Sequence, residues 1–163
     1  FIHAAKKLEQ YPKIQFVFIS GGIRRTQAEQ LAKDLKVCNV QWHDFVPLEE
    51  LPYSLTACHV SLISLNKGLE GVAVPCKLYG ILASGRAVVA QVPVMSEIAL
   101  TVEEHQCGVI VEPSNTDRLV EQLLILSKNP HQVREMGRKA FMAYQAHYRL
   151  EHAILTMHKL FSP

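Results

Sequence analysis

The segment NKGLEGVAVPCK, residues 66–77, sets two glycines, a proline and a lysine ahead of a short apolar stretch. Gly68 and Gly71 permit positive φ or close approach of the backbone to a ligand. Pro75 suits the first turn of a helix, which leaves the N–H groups of Cys76, Lys77 and Leu78 without intrahelical acceptors. Those donors, the positive end of the helix dipole and the Lys77 charge together suit a phosphate. The plainer reading is a Pro-initiated packing helix with a solvated lysine. Glu70 lies between the glycines, in a loop made apolar by Leu69 and Val72. Its carboxylate could accept hydrogen bonds from the vicinal hydroxyls of a sugar or ribose, or be a surface charge.

A second small-residue turn, Ser20-Gly21-Gly22, follows one apolar run and precedes a helical pattern. Glycines there let N–H groups turn toward a ligand, and Arg24 just beyond could pair with a phosphate or simply be solvated. Neither G-x-G-x-x-G nor G-x-x-x-x-G-K-[ST] occurs, which argues against ordinary dinucleotide or P-loop binding. His43 and Asp44 are adjacent, so on a strand they point to opposite faces and do not make a catalytic pair. No G-x-S-x-G elbow marks a nucleophilic serine. The eight histidines form no H-x-x-x-H pair on a predicted helix, so no metal site is expected.

These residues need a scaffold, and the pattern supplies one. Apolar runs at 13–20, 39–46, 59–65, 86–92 and 107–112 read as strands. Between and after them lie helical patterns at 23–36, 47–58, 75–84, 95–105 and 115–129, then a closing helical pair after Pro130. In the first pattern Ala28, Leu31, Ala32 and Leu35 form one stripe. Ser96 and Asn115 or Thr116 are candidate N-caps, and Pro47 and Pro52 suit first turns. Strand–helix alternation with short connections predicts an α/β fold, a Rossmann-like doubly wound and mostly parallel sheet. Ligands of such sheets bind outside the carboxyl ends of the strands, which here means the loops 20–25, 43–48, 65–76 and 92–97. The closing helices have no strand to follow them and are expected to pack across the sheet or reach toward a neighbour.

At 163 residues the chain is expected to be a single domain, 1–163, truncated at its N-terminus because Phe1 already falls in a helical pattern. A net charge of +2 does not call for a nucleic-acid partner. No apolar run approaches the roughly 20 residues of a membrane helix. Cys38, Cys58, Cys76 and Cys107 are irregularly spaced, which predicts reduced, mostly buried thiols in a cytoplasmic protein.

Taken in order, FVPLEELP (45–52), LTACHVSLISL (55–65), GLEGVAVPCKLYGILASGRAVVA (68–90), EHQCGVIVEPSNTDRL (104–119) and MGRKA (136–140) resemble the C-terminal domain of family 4 retaining glycosyltransferases of the GT-B architecture. The resemblance covers almost the whole chain. Its nearest flavour is the subgroup that builds exopolysaccharide or lipid-linked sugars and carries P-S-K-x-Y-x-I-L-A-x-G-x-P.

The resemblance implies the donor-binding lobe of a hexosyltransferase whose acceptor-binding N-terminal lobe is absent here. It implies a nucleoside-diphosphate sugar, of UDP or GDP type, as substrate, with no cofactor and no metal. Phe45 and Val46 would present backbone to the base, and Gly21 and Gly22 would form the turn beside the nucleotide. Gly68, Leu69, Glu70, Gly71 and Val72 would form the loop near the sugar, and Pro75, Cys76 and Lys77 the diphosphate-facing helix start. The full-length enzyme would work in the cytoplasm, with peripheral association at the inner face of a membrane. Three departures stand out. The family's Glu-x7-Glu motif falls on Val72 and Gly80, with Glu70 two residues out of register. Cys76 replaces a serine, and His59 an aspartate. A nucleotide-sugar 2-epimerase of the same architecture and a non-catalytic interaction domain are the competing readings.

Overall fold

The computed structural model describes residues 1–21, 23–72 and 76–161, so Gly22 and Pro75 lie outside the described residues. Its backbone contacts divide into two compact units. The first comprises Phe1–Ser54 and Asn115–Lys128, and the second Leu55–Ser114 with Asn129 onward.

In the first unit, β1 (Phe16–Ile19) and β2 (Val40–His43) pair in parallel, Phe16 opposite Val40 through Ile19 opposite His43. Helix α2 (Ile23–Asp34) makes the crossover between them. The rings of Phe18 and Trp42 stack across the pair with centroids 4.7 Å apart. Helix α1 (Ile2–Lys7) packs against α6 (Thr116–Lys128), where Ala4, Ala5 and Leu8 are buried together with Leu119, Leu123 and Leu126. Just before β2, buried Asn39 donates from Nδ2 to the Ala5 carbonyl at 3.0 Å, fixing strand to helix. Of the two candidates for the α6 cap, Asn115 fills the role: its Oδ1 accepts the Arg118 N–H at 3.0 Å.

In the second unit, β3 (Val60–Ser64), β4 (Ala87–Gln91) and β5 (Gly108–Val111) form a parallel sheet in the order β3-β4-β5. Four consecutive residues of central β4 are buried, so both of its faces are covered, as the unbroken apolar run predicts. Helices α4 (Lys77–Ala83) and α5 (Glu97–Glu104) connect the strands. Leu78, Ile81, Leu82, Ile98, Ala99 and Val102 from these helices meet Ile63, Val88, Ala90 and Val92 in one core. Ser96 caps α5, its hydroxyl accepting the Ala99 N–H at 3.3 Å. Helix α7 (Pro130–Ala143) crosses the turn between α4 and β4 so closely that a Cβ on Gly137 would come within 2.3 Å of the Gly85 carbonyl oxygen. A turn of π-helix, Tyr144–Tyr148, leads into α8 (Leu150–Phe161). Helix α3 (Leu51–Thr56), preceded by the 3-10 turn Leu48–Glu50, runs from the first unit into the second.

The α/β class and the parallel pairing are as expected, while every strand is shorter than its apolar run. The first run loses 13–15 to a turn in which the Ile14 N–H bonds the Tyr11 carbonyl. The second ends at His43, whose carbonyl makes the last bond to β1 by accepting the Ser20 N–H. The expectation of mostly buried thiols is corrected: Cys107 is buried and Cys58 half-buried, but Cys38 and Cys76 are exposed. Cys38 sits in the loop after α2, and Cys76 at the N-cap of α4, where no core is available to either.

Candidate functional site

The loops that leave the carboxyl ends of β1 and β2 carry the first group of predicted residues. The strands part after the Ser20 N–H donates to the His43 carbonyl at 3.1 Å. Gly21 follows, and a Cβ there would lie only 3.0 Å from Cε2 of Phe45. The Phe45 ring is therefore seated on the Gly21 backbone, a contact that a larger residue would lift. Phe45 remains 73% exposed, and Val46 is half-buried. The glycine turn and the Phe45 segment are expected on separate grounds, and the fold brings them into contact. Arg24 is exposed on the first turn of α2.

The residue missed here is Arg25. Its Nη1 donates to the Ser20 carbonyl at 2.7 Å and to the His43 carbonyl at 3.3 Å, and it also meets the Asp44 carboxylate. Its Nε donates to Glu29 at 2.7 Å, one helical turn on. Hydrogen bonds donated to Glu29 first and Asp44 second raise the Arg25 pKa above the usual arginine value. One half-buried guanidinium thus ties together the exits of both strands. The i,i+4 spacing of Arg25 and Glu29 was the available signal. His43 takes part in this clasp through its backbone carbonyl.

The second group leaves the carboxyl end of β3. Gly68 and Gly71 both adopt positive φ, +84° and +73°, the conformations for which glycine was expected. A Cβ at either would meet nothing within 4 Å, so the loop is open on those sides. The Val72 N–H closes a turn onto the Leu69 carbonyl at 3.2 Å, Leu69 and Val72 are exposed, and Glu70 is half-buried. An exposed ion pair, Lys67 to Glu112 at 3.6 Å, joins this loop to the residue after β5.

Helix α4 begins at Lys77 with exposed Cys76 as its N-cap and no side-chain cap bond. The Lys77 side chain is committed in a way the spacing did not reveal: Nζ donates to the Leu62 carbonyl of β3 at 2.9 Å. Although the residue is exposed as a whole, its ammonium end is crowded, and desolvation lowers its pKa from the ordinary lysine value. Gly80, at the motif position expected to hold glutamate, is half-buried, and a Cβ there would contact the Leu55 methyl at 3.5 Å. Among the described residues no group of three His, Cys, Asp or Glu side chains is placed to hold a metal ion.

Known proteins share the sequence pattern and the fold of this chain. A Pseudomonas aeruginosa protein described as probable glycosyltransferase WbjE is 26% identical over 125 residues, 75% of this chain and 31% of that protein. The chain spans about a third of the length of the curated relatives it matches. Sucrose-phosphate synthase from Thermosynechococcus elongatus superimposes with a TM-score of 0.81 at 19% identity, covering 98% of this chain and 41% of that one. A mutant of S. aureus TarM, solved with fondaparinux, alpha-GlcNAc-glycerol and UDP, gives a TM-score of 0.81 at 17% identity over 99% of this chain and 32% of its own. The fold shared with these GT-B structures is the Rossmann-like α/β lobe. Residues 1–142, both sheets and all the strand-end loops described above, match the glycosyl transferases group 1 family, and the chain belongs to that family.

Proposed function

We propose that the chain is the donor-binding lobe of a retaining, family 4 type hexosyltransferase. It would act on a UDP or GDP sugar, without a metal, to extend a glycan or a lipid-linked acceptor held by a separate lobe. The family match across residues 1–142 carries this reading. UDP in the complex of the TarM neighbour supports the donor class.

In this reading Phe45 and Val46 face the base, with Gly21 in the adjoining turn. Arg24 is an exposed cation available to phosphate. Gly68 to Val72, with Glu70 among them, form the loop near the sugar, and Cys76 and Lys77 face the diphosphate. As the glycosidic bond breaks, negative charge grows on the departing diphosphate. Fixed N–H dipoles and an ammonium aimed at that charge are worth several kcal/mol in a transition state. The Lys77 ammonium would exchange the Leu62 carbonyl for a phosphate oxygen, a stronger acceptor because it is charged.

Calorimetry with UDP, GDP and ADP at millimolar concentration tests the reading, which fails if none interacts. With a nucleotide that binds, Lys77→Ala is expected to weaken the diphosphate more than the corresponding nucleoside; equal losses sink its assignment. Because the Lys77 pKa is lowered from 10.5, wild-type diphosphate affinity should begin to fall at a pH below that value as the ammonium loses its proton. Lys77→Ala should flatten that fall. The chain by itself is expected to bind donor without transferring sugar, as the acceptor would be held elsewhere.

A further inference from the structure

We infer that Arg25 is a positioning residue: it fixes the exits of β1 and β2 so that the Phe45 ring stays seated on Gly21 and presents an open aromatic face to a nucleobase. This inference rests on the donor-binding reading and extends it to a side chain that meets no ligand. Three observations carry it, all within the first unit.

The first is the clasp. Ser20 and His43 are the last backbone groups shared by the two strands, and both of their carbonyls accept from Nη1 of Arg25. Asp44, whose side chain is 93% exposed, and Glu29 hold the guanidinium from two sides. Asp44 is the residue immediately before Phe45. The second is the ring's seat, with the Gly21 backbone so near that not even a methyl group fits comfortably between them. The third is the ring's exposure. A phenylalanine whose ring lies against the Gly21 backbone while the residue stays 73% exposed is an open apolar plate. Planar heteroaromatic bases stack on such rings regardless of sequence, because every base has a π-face. A guanidinium suits the clasp better than an ammonium, since its fork of donors reaches several acceptors in fixed directions.

The test compares Arg25→Gln, Arg25→Lys and Asp44→Ala with the unaltered protein. UDP, GDP and inorganic pyrophosphate are titrated by calorimetry, and thermal melting is followed in parallel. For the nucleotide that the unaltered protein binds, Arg25→Gln should weaken affinity by about tenfold. Arg25→Lys should recover only part of that loss, and Asp44→Ala should fall between the two. Pyrophosphate affinity should stay within about twofold for all three, a selectivity that a merely destabilised chain would not show.

The inference is overturned if Arg25→Gln leaves nucleotide affinity unchanged, or weakens nucleotide and pyrophosphate alike. If Arg25→Gln does not fold, unchanged nucleotide affinity in Asp44→Ala overturns it instead. Nucleotide bound no tighter than pyrophosphate by the unaltered protein removes the base contact and this inference, while leaving an anion site. No binding of any of them by the unaltered protein overturns the donor-binding reading itself.

Discussion

Cys107 lies at the opposite chemical extreme from the exposed Cys38 and Cys76. It is fully buried in the core of the second unit, and burial pushes its thiol from 9.0 up to about 11. Below pH 9 the thiol is protonated whether the chain is folded or not, so it adds no pH dependence there. Above that point the unfolded chain loses the proton first, and stability falls as pH rises until the buried thiol also ionises near 11. Two pKa units correspond to a loss of about 3 kcal/mol. Chemical denaturation between pH 8.5 and 11 should show this fall, and Cys107→Ala should reduce its slope. An unchanged slope would show that other groups set the alkaline limit. The same burial should leave Cys107 unreactive toward alkylating reagents in the native protein while Cys38 is modified. None of this difference among the cysteines was legible in their spacing, because burial follows from where the chain runs rather than from the residue type.

Glycine 137 decides how closely α7 can approach. Its missing side chain lets the helix backbone rest on the Gly85 turn, itself at φ +64°, between α4 and β4. A methyl group at 137 would sit 2.3 Å from a backbone oxygen that cannot swing away, so α7 has to shift. Gly137→Ala is expected to destabilise by about 1–3 kcal/mol, despite the gain in helix propensity. Urea denaturation checks the sign, and a variant as stable as the unaltered chain would mean that α7 docks more loosely. The order of strands and helices, the caps at Ser96 and Asn115 and the positive-φ glycines of the loop after β3 were all legible, since each leaves a local mark. What stayed hidden depends on neighbours distant in sequence. Arg24 and Arg25 are indistinguishable by composition, yet only Arg25 faces the exits of β1 and β2. Lys77 is correctly placed at a helix start, but that position says nothing of the Leu62 carbonyl across the turn. Gly80 reads as a departure from a motif, and the structure adds that its position packs against Leu55 of α3.

The two compact units each end their parallel strands in the loops that the family match covers, and the π-helical turn and the closing helix fall wholly beyond that match. Helix α8 was expected to pack across the sheet or reach toward a neighbour, and none of its residues is buried. Leu150, Ile154, Met157 and Phe161 recur at i, i+4, i+7 and i+11, which sets them on one face, and Leu160 lies beside them. All five are exposed. An apolar stripe of this kind is an association liability on an isolated chain. The chain is therefore expected to bind an environment-sensitive apolar dye and to self-associate increasingly with concentration in sedimentation experiments. The pair Ile154→Glu and Leu160→Lys should reduce both effects. It should leave the thermal midpoint nearly unchanged, because both residues are mostly exposed and the charges fall on an already exposed face. A clear fall in the midpoint would show that the stripe contributes to the stability of the second unit, and unaltered dye binding would trace the association to another surface.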